Sequence, residues 1–131
     1  MLIKKTIIFI FLTFIFFSTK VLSKEISYVC EFHSTEPKQD LVDFSKVKLI
    51  LYIDYKNKKV RSEQGADLFS IEFQSDRVSW FHEFVNSVNQ EKRLSYDTFY
   101  IKSKKFITNI YPFKTNLSRN DLVAATEWNC R

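Results

Sequence analysis

The amino-acid chain has 131 residues, of which 45% are hydrophobic and 27% charged, with a formal net charge of +5. This length and composition fit one globular domain, and they exclude a disordered tail, a membrane bundle or two domains. A single glycine, Gly65, excludes the glycine-rich phosphate loops of nucleotide-binding proteins.

The first part of the chain has the pattern of an export signal. Two lysines precede an apolar run over residues 6–17, and residues 21–23 offer the small side chains that signal peptidase requires. As a helix the run would reach only about 18 Å, whereas the hydrocarbon core of a membrane is about 30 Å thick. We therefore expect a cleaved signal peptide over residues 1–23. The remaining single β-rich domain, residues 24–131, is then secreted or periplasmic and has no stable membrane span.

The domain alternates apolar and polar residues with a period of two, which is typical of half-buried β-strands. Polar stretches such as 33–45 and 112–120 predict loops, with a short turn around residues 40–44. A helix over residues 75–88 is the alternative, although its bulky residues fit neither period cleanly. Eight segments carry the strand pattern in chain order: 26–32, 46–56, 59–63, 68–74, 77–85, 92–101, 105–111 and 122–130.

Seven or eight short strands, with a turn signal about every 8–12 residues, predict an all-β fold with little helix. A small antiparallel sandwich and a barrel both fit this pattern. The alternation also predicts which side chains share a face in three of the strands: Phe69, Ile71 and Phe73; Val78, Trp80, His82 and Phe84; and Leu94, Tyr96 and Thr98.

The chain holds two cysteines, Cys30 near the start of the domain and Cys130 near its end. An even number of cysteines in an exported protein predicts a disulfide, and two are too few for a structural zinc site. Because a disulfide needs its Cα atoms within about 7 Å, the first and last strands must be neighbours or face each other across a sandwich.

Charge gives little support for a nucleic-acid partner. Three of the 20 basic residues lie in the predicted signal, so the domain, which keeps all 15 acidic residues, is close to neutral. A nearly neutral surface lacks the electrostatic footprint of a nucleic-acid-binding protein. We therefore expect no nucleic-acid partner.

Catalytic and metal motifs are absent from the sequence. The two histidines are His33 and His82, and no second histidine follows His82-Glu83 at the spacing of a metalloprotease. No nucleophile elbow occurs either. We predict a non-enzymatic protein with no metal site and no cofactor, and we keep an enzyme with a non-obvious site as an alternative.

Aromatic residues make up 17% of the chain, which is the unusual feature of its composition. They either fill the core of a strand-rich fold or form a ligand cavity or an exposed contact surface. Segment 77–85 carries bulky residues on both faces, so Trp80 and Phe81 are the candidate binding residues. The corresponding function is a binding or envelope-associated domain that recognises a protein or a small apolar ligand.

Residues at the two ends and in one predicted hairpin carry a resemblance. Tyr28-Val29-Cys30, the final Trp128-Asn129-Cys130-Arg131 and the segment 53–60 resemble a diffuse group of small exported bacterial proteins of unknown function. More remotely, the Tyr-x-Cys start and the cysteine-bracketed domain are similar to periplasmic inhibitors of animal-type lysozyme. That similarity implies inhibition of a cell-wall hydrolase as an alternative function. The inhibitors use Ser-Gly and Lys-Gly loop motifs, which this chain lacks, so no inhibitory residue is carried over.

Overall fold

A computed structural model of the chain describes residues 24–37, 47–87 and 89–131. The predicted signal peptide and the turn expected around residues 40–44 lie outside the described residues. None of the helices in the part that is described is long and apolar enough to cross a membrane.

The prediction of an all-β fold is confirmed. The helix considered over residues 75–88 is wrong, because Arg77–Val85 is a strand that pairs on both sides. A three-residue 3-10 helix, Arg119–Asp121, precedes the last strand. The eight antiparallel strands are β1 (Ile26–Glu36), β2 (Lys48–Asp54), β3 (Lys59–Ser62), β4 (Leu68–Phe73), β5 (Arg77–Val85), β6 (Lys92–Tyr100), β7 (Lys105–Pro112) and β8 (Ala124–Cys130).

The strands form one sheet in the order β3-β2-β1-β8-β7-β6-β5-β4. Every strand pairs with a neighbour in the chain, and the pairing of β1 with β8 joins the two ends of the domain. A seam without strand pairing remains between β3 and β4. Val60 of β3 and Phe73 of β4 nevertheless pack in the same core, and the rings of Tyr55 and Phe73 meet edge-on with centroids 6.2 Å apart. The sheet is therefore a nearly closed barrel, the alternative to a sandwich that the sequence had left open.

The disulfide between Cys30 and Cys130 is confirmed. The two residues lie directly opposite each other on β1 and β8, with their Cα atoms 3.9 Å apart. Val29 and Arg131, one position along, exchange both backbone hydrogen bonds at 3.0 Å. The cysteines therefore occupy a non-hydrogen-bonded pair, the position in an antiparallel ladder where opposite side chains come closest.

Strand β1 is longer than its sequence predicts, because residues 33–36 are strand and not loop. A bulge between Phe32 and Ser34 shifts the register against β8, after which pairing continues to Glu36. Beyond the bulge, the Thr35 hydroxyl lies 3.2 Å from that of Thr126 and forms a hydrogen bond with it. An extra residue in a bulge interrupts the alternation, which is why these polar residues look like a loop.

Because neighbouring strands are antiparallel, the turns that join them lie alternately at the two ends of the barrel, and these ends differ in how they are filled. We call the end with the turns at residues 55–58 and 101–104 the closed end, because large side chains fill the barrel there. Tyr28 and Phe99, for example, pack with ring centroids 4.6 Å apart. We call the other end, where β1 finishes and β2 begins, the open end.

A pair of tyrosines at the closed end makes stability depend on pH. The hydroxyls of Tyr28 and Tyr55 are hydrogen-bonded at 3.0 Å, and burial together with this bond raises the pKa of Tyr55. A raised pKa means that the fold favours the neutral phenol. This contribution to stability is complete below the unfolded-state pKa of about 10 and is lost as the pH rises above it.

We expect Tyr55→Phe to make the free energy of unfolding less dependent on alkaline pH. Urea unfolding of both proteins at about pH 9 and about pH 11 measures this, because tyrosine titrates near pH 10. The wild type should lose more stability than the variant over this interval, since the variant lacks the Tyr55 hydroxyl, whose pKa is raised by folding. Equal losses would show that Tyr55 ionises freely in the folded protein.

Candidate functional site

A cavity of about 300 Å³ occupies the interior of the barrel toward its open end. An eight-stranded barrel is just wide enough to be filled by side chains or to hold one small ligand. Here several inward positions near the open end carry small side chains, namely Ser62, Ala66, Ser95 and Thr108. These small residues leave a space inside the barrel, whereas at the closed end large aromatic and aliphatic side chains fill it.

Aromatic rings form part of the wall of this cavity. Trp80 is 1% exposed and stacks on Phe106 with ring centroids 5.6 Å apart and an interplanar angle of 19°. Trp128 contributes a third ring, and its Nε1 is buried with no hydrogen-bond partner among the described residues. Phe84 adds a fourth ring, and six aliphatic residues complete the apolar part of the wall, so the cavity surface is mainly apolar.

Three polar side chains meet on one side of the cavity. Ser95 and Asp97 are two residues apart on β6 and therefore share its inner face, and His82 lies opposite Ser95 on β5. The Ser95 hydroxyl donates to Asp97 Oδ1 at 2.5 Å. The Asp97 side chain is only 3% exposed, so a carboxylate is held inside the barrel.

The imidazole of His82 links this carboxylate to the open space. Its Nδ1 lies 2.9 Å from Asp97 Oδ2, which is within ion-pair distance, although the alignment is too poor for a hydrogen bond. Nδ1 is buried and has no hydrogen-bond partner among the described residues, whereas Nε2 is not one of the buried, unpartnered atoms there. The side chain is 22% exposed, so His82 can present Nε2 to a molecule in the cavity.

The sequence pattern singled out His82 of this polar group, but not Ser95 or Asp97. The predicted inner face of β5, with Trp80 and His82, agrees with the cavity wall. For β6 the face that the pattern singled out, with Leu94, Tyr96 and Thr98, is the outer one, whereas Ser95 and Asp97 point inward. The residues that do face inward follow the same alternation shifted by one position, as Ser95-x-Asp97-x-Phe99. The adjacent bulky residues Phe99 and Tyr100 concealed this pattern.

The candidate residues Trp80 and Phe81 lie on opposite faces of β5 and do not form one surface. Trp80 faces the cavity. Phe81 lies outside between two rings, 5.9 Å from the centroid of Phe69 and 4.7 Å from that of Tyr96. Phe69 was predicted to share a face with Ile71 and Phe73, but the bulged register of β4 at Ser70, where φ is +51°, turns it outward.

The loop predicted over residues 112–120 lies at the open end. Lys114 Nζ donates to Asp121 Oδ1 at 2.5 Å, and the Ser118 backbone N–H donates to Asp121 Oδ2 at 2.7 Å. These two contacts, the lysine first, lower the pKa of the Asp121 carboxyl. A local network within the segment therefore holds its conformation.

Fold and site together define an eight-stranded, up-and-down antiparallel barrel with an interior cavity toward one end, as the described residues outline it. Within the three described ranges, no three residues among His, Cys, Asp and Glu are grouped so that they could hold a metal ion. Comparison of the chain with protein-family models, curated proteins and solved structures finds no match.

Proposed function

We propose that this protein is an exported, non-enzymatic binding module that holds a small, largely apolar molecule inside its barrel. The cavity carries this proposal. Ligand sites in proteins are typically concave, about 300–1,000 Å³ in volume, and mostly apolar with a few polar groups that orient the ligand. The cavity lies at the lower end of that size range and has aromatic and aliphatic walls and a cluster of three polar side chains, His82, Ser95 and Asp97.

The volume limits the ligand to a small molecule. An apolar protein cavity of about 150 Å³ is known to accept benzene, and a water molecule takes about 30 Å³ of liquid volume. A cavity of about 300 Å³ therefore suits a molecule of about ten non-hydrogen atoms.

The disulfide supports the exported location. Disulfides persist in oxidising compartments and are rare in the cytosol of ordinary cells. A bridge between Cys30 and Cys130 therefore agrees with the signal peptide proposed over residues 1–23 and a secreted or periplasmic domain. Recognition of a protein partner, including inhibition of a cell-wall hydrolase, stays a prediction.

Binding is testable with an uncharged probe, 1-octanol, titrated into the purified, disulfide-bonded protein. Trp80 and Trp128 both line the cavity, so intrinsic tryptophan fluorescence should change with saturation. Ala66→Phe should abolish this change, because Ala66 lines the cavity and a benzyl group there occupies the ligand space.

Ala125→Phe is the matched control, because Ala125 lies on β8 next to the inward-facing Ala124 and points to the outside of the barrel. This variant should bind the probe as the wild type does. Binding that survives Ala66→Phe unchanged would place the probe elsewhere on the protein and would refute the cavity as the site.

A further inference from the structure

The charges that line the cavity restrict the ligand further. Asp97 is the one acidic residue among the described lining residues, and no lysine or arginine is found there. Its only ionisable neighbour in the wall is His82, at 2.9 Å. With Asp97 ionised, the pair carries a net charge of −1 beside a neutral imidazole and 0 beside an imidazolium.

A site of this kind disfavours an anionic ligand. A carboxylate or phosphate that enters an apolar cavity loses its hydration, and this loss is costly unless a positive charge replaces the water. The Asp97 carboxylate repels an anionic ligand. Even if His82 is protonated, its positive charge is already balanced by the negative charge of Asp97. Fatty acids and other apolar anions therefore fit this cavity poorly.

His82 lines the cavity, and its Nδ1 is the buried nitrogen, so Nε2 is the ring nitrogen left for a ligand; no hydrogen bond joins it to another of the described residues. In a neutral imidazole with its proton on Nδ1, Nε2 accepts a hydrogen bond, and in an imidazolium it donates one. A hydroxyl group both donates and accepts, so it satisfies Nε2 in either state.

We propose that the cavity selects uncharged molecules with an apolar body and one hydroxyl group, that is, small alcohols or phenols, whose hydroxyl binds His82 Nε2. This inference rests on the proposed function and specifies its ligand class. Ser95 and Asp97 act through the histidine, since Asp97 Oδ2 lies 2.9 Å from Nδ1 and the Ser95 hydroxyl donates to the other carboxylate oxygen.

The test compares octyl probes that differ in the head group: 1-octanol, nonane, octylamine and octanoate. Tryptophan fluorescence and calorimetry report the dissociation constants for the disulfide-bonded protein. We expect 1-octanol to bind more tightly than octanoate, which Asp97 repels. It should also bind more tightly than octylamine, whose ammonium loses its hydration while both Asp97 oxygens already contact Ser95 and His82. His82→Phe should weaken 1-octanol binding about threefold to tenfold, the usual value of one hydrogen bond, and leave nonane binding unchanged or stronger.

Two variants complete the experiment. His33→Phe makes the same chemical change at the other histidine of the chain, which is exposed on β1, and should leave all four affinities unchanged. Asp97→Asn keeps the shape and an acceptor for Ser95 but removes the charge, so it should strengthen octanoate binding more than about threefold.

The outcomes separate this inference from the proposed function. Octanoate or octylamine binding as tightly as 1-octanol would overturn the selectivity for an uncharged hydroxyl while leaving the cavity as a ligand site. An equal effect of His82→Phe on 1-octanol and nonane would overturn the role of Nε2 alone. If no probe of the series bound, both the proposed function and this inference would fall.

Discussion

Replacing Trp80 by alanine is expected to lower the free energy of unfolding by about 3–5 kcal/mol. The side chain is 1% exposed and stacks on Phe106, so its removal loses apolar burial and enlarges the cavity beside it. Neighbouring strands are held in the barrel by backbone pairing and cannot collapse into the space. Urea unfolding followed by far-ultraviolet circular dichroism measures the change without depending on the missing tryptophan.

Phe81→Ala is the matched control, because Phe81 is the next residue of β5 and lies on its outer face between Phe69 and Tyr96. Its loss should cost less, about 1–2 kcal/mol, since a half-exposed ring buries less surface and leaves no enclosed cavity. A Trp80→Ala protein that lost no more stability than Phe81→Ala would contradict the buried position of Trp80.

Reduction of the disulfide is expected to lower the free energy of unfolding by about 2–5 kcal/mol. The bridge joins residues 100 positions apart and therefore restricts the unfolded chain over almost the whole domain. It also joins β1 to β8, the pair of strands that connects the two ends of the chain. Urea unfolding in the presence and absence of a reductant measures the difference.

The double variant Cys30→Ala/Cys130→Ala provides the control, because it lacks the bridge under both conditions. It should unfold like the reduced wild type, and the reductant should leave its urea midpoint unchanged. A reductant that left the wild-type midpoint unchanged as well, despite two titratable thiols, would show that the cross-link contributes no stability.

The strands and the covalent link could be predicted from the sequence, because both depend on local pattern or compartment. Alternation with a period of two results from side chains pointing to opposite faces of a strand, and it predicts all eight strands near their observed positions. The pairing of Cys30 with Cys130 needs no knowledge of the fold when only two cysteines exist. The same local pattern predicted Trp80 and His82 on one face of β5.

Closure and the candidate site depended on tertiary structure. A shift of one residue turns every side chain to the other face of a strand. The alternation pattern therefore does not give the orientation of residues near the bulges at Ser34 and Ser70, or in β6, where the pattern is blurred. For these residues only the strand pairing gives the orientation. Whether the sheet closes into a barrel depends on its curvature and on β1 meeting β8, which alternation does not encode. The cavity, and the approach of His82 to Asp97 within it, exist because that closure brings small inward side chains from separate strands around one space.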